Sequence, residues 1–439
     1  MTLHVLEPRE VEKHARRGAG WLAAQGLAAG DRVAVVADNH PRLIALTHGA
    51  LRTGIVPVVI GTHLSRAERA WTIANSEPAL VVDDLDAVPW DDAYQADLAD
   101  VPLARPMFYT SGSTGYPKGV WSGVLLDADA RAWAADEDEL WAPERDGSWL
   151  VCSPMHHSAG HRSATAALLK GCRVLLLDRF EADMVVRLLA EEDVCGTFLV
   201  PTHLRRIFER GDPPKPRALK RVLHAGEPCP DALKRRALEW LPDLWEFYGS
   251  TEGQFSAISP HEWLEHPGSV GRARRGRTLR IADPDEDGIG TVYVSSPHFA
   301  RWSYWGDEEK TLAAWDGDAF TAGDLGRLDD GYLYLVSRRD DLIISGGVNV
   351  YPAVVERILH EHPAVRDVAV VGVPDERWGQ AVCAVIVVEP DDVVDVERWA
   401  SDRLGDANRP RRVVAVDALP RNARGKVDRT AVRALLERS

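Results

Sequence analysis

Cysteine is scarce: Cys152, Cys172, Cys195, Cys229 and Cys383 form no CxxC pair and follow no regular spacing. A zinc ribbon and a disulfide framework are thereby excluded, and a reducing compartment is implied. Long apolar runs are also missing. Nothing approaches the roughly 18 consecutive apolar residues of a membrane helix, and the opening MTLHVLEPREVEKHARR is charged and amphipathic, without the apolar centre of a secretory signal. A cytoplasmic protein with no membrane partner is expected. Basic charge is in deficit, 52 Lys and Arg against 67 Asp and Glu, for a formal net charge of −15. Such a chain repels phosphate backbones, which argues against a nucleic-acid partner; an anionic ligand needs a locally basic or amide-lined site. What is present is ordinary for a folded enzyme: 439 residues, 45% apolar and 27% charged, with glycine and proline dispersed. That is enough chain for two to three domains.

Apolar stretches alternate between helical and strand periods from the start. Val11, Ala15, Ala19 and Leu22 share a helical face, and Val33 to Ala37 reads as a short buried strand. A helix Leu43 to Arg52, a strand Val56 to Ile60, a helix opened by the capping box of Ser65 and Glu68, and a strand Ala79 to Val82 follow. The rhythm continues through Val200, as several parallel-sheet units would require. After Gly323 the texture changes to YLYLVSRRDDLIISGGVNVYP, with Pro352 at the favoured first position of a helix. The expected organisation is an α/β protein: a large domain over 1–339 and a small α+β domain over 340–439, with the boundary at Arg339 and Asp340.

The segment Thr110-Ser111-Gly112-Ser113-Thr114-Gly115-Tyr116-Pro117-Lys118-Gly119-Val120 carries the strongest chemical signal. Glycines let backbone N–H groups converge on one concavity, Ser and Thr hydroxyls add donors, and Lys118 supplies a compact positive charge: a polyphosphate cradle. A Walker A pattern cannot be laid on it. Another cluster, Met155-His156-His157-Ser158-Ala159-Gly160-His161, looks metal-like in composition. Only the HxxxH spacing of His157 and His161 suits zinc, and Pro154 with Gly160 favours a loop.

TSGSTGYPKGV resembles the signature loop of the adenylate-forming superfamily of acyl-CoA synthetases, luciferases and nonribosomal-peptide adenylation domains, and further motifs of that family follow in order. The resemblance implies a phosphate site at Thr110, Ser111, Gly112, Ser113, Thr114, Gly115 and Lys118. In Tyr248-Gly249-Ser250-Thr251-Glu252 it places an aromatic ring near adenine and Glu252 on Mg²⁺. Gly226-Glu227-Pro228 would lie against the other face of adenine. Asp324, in a GD motif, would accept hydrogen bonds from both ribose hydroxyls, as an ionised carboxylate can. Ser337-Arg338-Arg339-Asp340-Asp341 resembles the hinge, with Ser337 in place of the usual Gly, Arg338 on ribose or phosphate and Asp340 as pivot. His157 would border and gate the acyl pocket. Lys426, in Pro420-Arg421-Asn422-Ala423-Arg424-Gly425-Lys426, would be aimed at the junction of substrate carboxylate and α-phosphate.

By this resemblance the chain converts a small carboxylic acid, ATP and Mg²⁺ to an acyl-adenylate, after which domain alternation admits a thiol. Ser345-Gly346-Gly347-Val348-Asn349 resembles the pantetheine-tunnel loop and Asp375-Glu376-Arg377-Trp378-Gly379 the loop beside the CoA nucleotide, so coenzyme A is the implied acceptor, lined by Gly346, Gly347 and Trp378. A carrier protein, or an amine as in nitrous-acid-dependent diazotisation, is the alternative acceptor; a degenerate nucleotide-binding regulator is the non-enzymatic reading. Only about 110 residues precede the phosphate loop, which implies a trimmed first subdomain whose strand edge pairs in a homodimer. Trp121-Ser122-Gly123 stands where the family often has Thr-His.

Overall fold

A computed structural model describes the chain except for residues 111–116, 297–300, 339–340, 347, 389–392, 423–426 and 439. By contacts it divides into two compact units, Met1–Thr278 with Ser295–Phe320, and Leu279–Val294 with Thr321–Ser439. The strands Asp324–Asp329 and Tyr332–Arg338 therefore belong with the carboxy-terminal unit. The boundary expected at Arg339 and Asp340 lies outside the described residues.

The first unit is built on an eight-stranded sheet whose order begins with Leu3–Leu6, Arg173–Leu177, Ser148–Val151 and Val194–Leu199 and continues with Arg221–His224, Leu244–Gly249 and Gln254–Ile258. Its inner strands run parallel and its edges antiparallel. Both faces are covered, and the two-residue period of a strand divides each apolar run between two cores. Trp149, Val151, Val174 and Leu176 enter one core; Leu150, Cys152, Leu175 and Leu177 enter the other. A second, parallel sheet joins Val56–Ile60, Arg32–Val36 and Leu80–Val82, as the sequence pattern requires. The capping box forms: Glu68 N–H donates to Ser65 Oγ at 3.2 Å, and Ser65 N–H to Glu68 Oε2 at 2.9 Å.

The second unit contains the antiparallel strands Gly290–Ser295, Asp324–Asp329 and Tyr332–Arg338. Next in the chain comes a hairpin, Ile343–Ser345 with Val348–Val350, beside the long pair Asp367–Asp375 and Gly379–Val387. Here too alternate residues serve opposite faces: Val368, Val370, Val382 and Ala384 pack with the helices Pro352–His360 and Val393–Arg403, whereas Ala369, Val371, Ala381 and Cys383 pack with Val432 and Leu436 of the last helix, Arg429–Arg438. All five cysteines are free thiols.

Candidate active site

The phosphate-binding candidate is flanked by a pair of strands. Strands Phe108–Thr110 and Lys118–Trp121 pair antiparallel with Thr110 opposite Lys118, so the two ends of the glycine- and serine-rich segment are held side by side. Ser111, Gly112, Ser113, Thr114 and Gly115 lie outside the described residues. The exit is pinned by Trp71, whose indole N–H donates to Pro117 O at 3.3 Å. Strand Ser303–Tyr304 adds to the other edge of the Lys118–Trp121 strand. This third strand carries a residue that motif reading missed. Tyr304 Oη donates to Glu252 Oε1 at 2.8 Å, and its ring centre lies 5.0 Å from Lys118 Nζ. One tyrosine thus ties the cradle's lysine to the expected magnesium carboxylate. Its only signal was the aromatic density of Arg301-Trp302-Ser303-Tyr304-Trp305.

Glu252 is 6% exposed and sits in a tight hairpin between Leu244–Gly249 and Gln254–Ile258. Ser250 N–H donates to Gly253 O at 2.8 Å, and a Cβ on Gly249 would come within 2.6 Å of the same carbonyl. Glycine is required there by close backbone approach, and the turn it permits presents Thr251 and Glu252 together. A carboxylate with one oxygen anchored by a phenol is a hard oxygen donor of the kind Mg²⁺ takes alongside phosphate oxygens and water, so Glu252 fits the expected ion. Tyr248 is buried, edge-on to Phe255 at 5.1 Å. Asp38, His63 and His156 form a separate group whose ligand atoms lie within 4.8 Å of one another.

Gly226 follows strand Arg221–His224 with φ of 94°, a left-handed conformation that favours glycine. Beside it, Glu227 Oε1 accepts from Thr202 N–H at 2.6 Å, at the start of helix Pro201–Phe208. Pro228 is exposed. Under this segment lies a buried ionic network. Lys234 Nζ bonds Glu246 Oε2 at 3.0 Å, contacts His224 Nε2, and stands 5.5 Å from the Trp263 ring. Burial pushes the Glu246 carboxyl up, against the pull of Lys234, and burial followed by Lys234 holds His224 well below the usual imidazole value. Lys234→Ala would strand Glu246 without its cation, and a loss of about 3–5 kcal/mol is expected. Urea unfolding measures it; a loss below about 1 kcal/mol would show that the network contributes little.

His157 precedes helix Ser158–Lys170, with its N–H on Pro154 O at 3.1 Å and its ring 4.4 Å from that of His156. His161 faces the other way, into the core against Phe108, and burial drives it down to about 4. The HxxxH pair is thus divided between loop and interior, which rules out the zinc arrangement.

In the second unit, two ribose candidates meet. Asp324 and Arg338 are opposite each other in adjacent strands, with Nε and Oδ1 3.3 Å apart. Ser337 sits in extended strand Tyr332–Arg338, where glycine is not needed. Gly346 and Trp378 also meet. Gly346 has φ of 59°, donates to Trp378 O at 2.8 Å, and a Cβ on it would lie 2.8 Å from the indole. Asp375 Oδ1 accepts from the backbone N–H of Trp378 at 2.9 Å, and Arg411 stands 4.4 Å from the indole's ring centre. Gly347, Asp340 and Lys426 lie outside the described residues.

Comparison with known proteins bears on this arrangement. The sequence family described as AMP-binding enzyme matches residues 8–106 and 105–305, and the AMP-binding enzyme C-terminal domain matches 354–426. The chain is 32% identical over 446 residues to a 2-succinylbenzoate–CoA ligase of Bacillus cereus, covering 95% of this chain and 91% of that one. It is 31% identical over 462 residues to the long-chain-fatty-acid–CoA ligase FadD13 of Mycobacterium tuberculosis, with the same coverages, 95% and 91%. Among solved structures, o-succinylbenzoate CoA synthetase (MenE) of Bacillus subtilis in complex with the acyl-adenylate OSB-AMP superposes with a TM-score of 0.85 at 28% identity, over 98% of this chain and 92% of that one. Amide bond synthetase McbA from Marinactinospora thermotolerans gives 0.84 at 28%, over 98% and 94%.

Proposed function

We propose, from the premise that the chain belongs to the AMP-binding enzyme family, that it is an acid–thiol ligase acting on a small carboxylic acid with coenzyme A as acceptor. The family's adenylate-forming CoA ligases use ATP, Mg²⁺ and CoA. In the first half-reaction a carboxylate oxygen of the acid bonds to the α-phosphorus of ATP and pyrophosphate leaves. Lys118 and the segment it follows would hold the phosphates; Glu252, bonded by Tyr304, would hold Mg²⁺, whose charge would offset theirs. Asp324 and Arg338 take the ribose, and Lys426 stabilises charge at the reacting centre. In the second, after a swing about Asp340, the CoA thiolate bonds to the acyl carbon and AMP leaves. No enzyme nucleophile is consumed, so the buried cysteines need no role. ATP and CoA as co-substrates, with five free thiols, favour a cytoplasmic setting.

The observation that carries the thiol reading is the contact of Gly346 with Trp378, two residues far apart in sequence that both resemble CoA-lining positions. Gly346→Leu is the test. A side chain there meets the indole and must adopt a left-handed backbone, at a cost of about 1–3 kcal/mol from overpacking. Acid-dependent ATP–pyrophosphate exchange should survive, while CoA thioester formation, followed by chromatography over a panel of acids, should fall about tenfold or more. Equal loss of both, or adenylate formation by the wild type without thioester from any acid, would transfer the second step to an amine or a carrier protein.

A further inference from the structure

Beside Glu252 the first unit encloses a cavity of about 30 Å³, walled in part by Arg105, Arg162, Arg277, Phe255, Trp133 and Trp302. Its charge does not balance. Asp136 accepts from Arg274 Nη1 at 3.1 Å and from Arg277 at 2.9 and 2.8 Å. Burial pushes Asp136 up, but Arg277 and Arg274 outweigh it and leave the carboxyl below its ordinary range. Glu137 accepts from Arg162 Nε at 3.1 Å, from Arg162 Nη2 and from Trp141 Nε1 at 2.7 Å. Both carboxylates are thus engaged by Arg162, Arg274 and Arg277. Arg105 remains. Among the described residues its bonding partner is a carbonyl, Glu252 O, at 3.4 Å from Nη2, and its guanidinium stands 5.8 Å from the Trp133 ring centre. Counting Glu252, already bonded to Tyr304, the cavity wall and the network behind it hold four guanidinium groups and three carboxylates. Burial, and then the neighbouring Arg162, bring Arg105 down to about 10 against the opposing pull of Glu137 and Asp136, so it still carries its charge at neutral pH.

A guanidinium removed from water without a carboxylate is costly unless a ligand supplies the anion. The cavity has room for about two waters, the size of a carboxylate group, and too little for an acyl chain. Convergent charge and aromatic walls beside a catalytic centre mark a recognition site. We propose that the acid activated by this enzyme carries a second carboxylate, bound by Arg105 in this cavity. The inference rests on the acid-activating reading above and names its substrate class. Arg105 is here a specificity residue that touches substrate. ATP phosphates share the oxyanion chemistry, and the test separates the two sources.

Chain-matched pairs (butyrate and succinate, hexanoate and adipate, benzoate and isophthalate) would be offered to the full-length protein. Two readouts are taken: pyrophosphate release with MgATP, and quenching of tryptophan fluorescence without nucleotide, since Trp133, Trp302 and Trp315 wall the cavity. At least one dicarboxylate should exceed its partner in kcat/KM by about tenfold or more, the effect of one charge-assisted hydrogen-bonded pair. It should also quench saturably. Arg105→Met should remove both effects while monocarboxylate turnover changes by less than about threefold. Equal or better use of monocarboxylates by the wild type overturns the proposal even if the variant fails to fold. So does equal loss of both acids in Arg105→Met, or quenching by MgATP or pyrophosphate alone that the variant abolishes. Discriminating quenching with no pyrophosphate release from any acid would refute acid activation and leave the dicarboxylate site standing; absence of both overturns both.

Discussion

Replacing Lys426 by alanine is expected to lower acid-dependent ATP–pyrophosphate exchange by about 10²-fold or more, while changing stability by less than about 0.5 kcal/mol. The rate effect follows from the resemblance of Pro420-Arg421-Asn422-Ala423-Arg424-Gly425-Lys426 to the family motif, by which the lysine is proposed to stabilise negative charge that grows as the carboxylate–phosphorus bond forms and pyrophosphate departs. The small stability effect follows from how the ends of that motif are anchored. Arg421 and Val427 form an isolated antiparallel bridge, and Asp428 N–H donates to Pro420 O at 2.9 Å. Arg421 Nη2 bonds Asp367 Oδ2 at 2.6 Å, and Arg429 pairs with Glu356 at 2.7 Å. These contacts hold the base of the loop. Exchange measured by radiolabelled pyrophosphate, with urea unfolding in parallel, checks both halves; exchange within a few-fold of wild type would remove Lys426 from the chemistry.

Acid should destabilise the first unit well before its carboxylates titrate. Burial holds His48 down to about 3, His161 to about 4 and His203 to about 3. Charged neighbours add to this: Arg52 and then His161 act on His48, Arg162 on His161, and Arg206 on His203. His203 lies flat on Phe180, ring centres 3.8 Å apart. The sign follows from proton counting. Below the unfolded value of about 6.5 the unfolded chain takes up a proton at each imidazole and the folded chain does not, so stability falls as pH falls. Each histidine contributes about 1.4 kcal/mol per pH unit, these three together about 4 kcal/mol per unit between roughly pH 6 and 4, and His224, also held well below its usual value, steepens the same fall. That is a large share of the 5–15 kcal/mol typical of a folded protein. Urea midpoints between pH 6.5 and 5, at constant ionic strength, isolate the histidines because ordinary carboxylates are still ionised there. A flat profile over that window would show that these imidazoles are protonated in the fold.

Motifs whose chemistry depends on backbone shape were legible from residues alone. Gly226 needs its left-handed φ, Gly249 its close approach to Gly253 O, and Ser65 with Glu68 their reciprocal cap; such requirements are local and leave a local mark in sequence. The strands in both units were legible for a related reason. A sheet covered on both faces turns nearly every residue apolar, as in Arg173–Leu177 and Asp367–Asp375.

Side chains that act through partners distant in sequence left no such mark. Tyr304 reaches Glu252 across 52 positions, and Trp378 meets Gly346 only because two hairpins share a sheet. In one linear reading Arg105, Arg162, Arg274 and Arg277 are four scattered basic residues in a chain with an acidic excess. Whether a charge is balanced depends on which carboxylates folding brings within a few ångströms, since attraction falls with distance and is strengthened where water is excluded. The amino-acid sequence by itself therefore determined the family and the order of sheets and helices, and it named the residues proposed to handle ATP. Tertiary structure alone decided which tyrosine bonds Glu252, the proposed metal carboxylate, and where Arg105 faces a cavity.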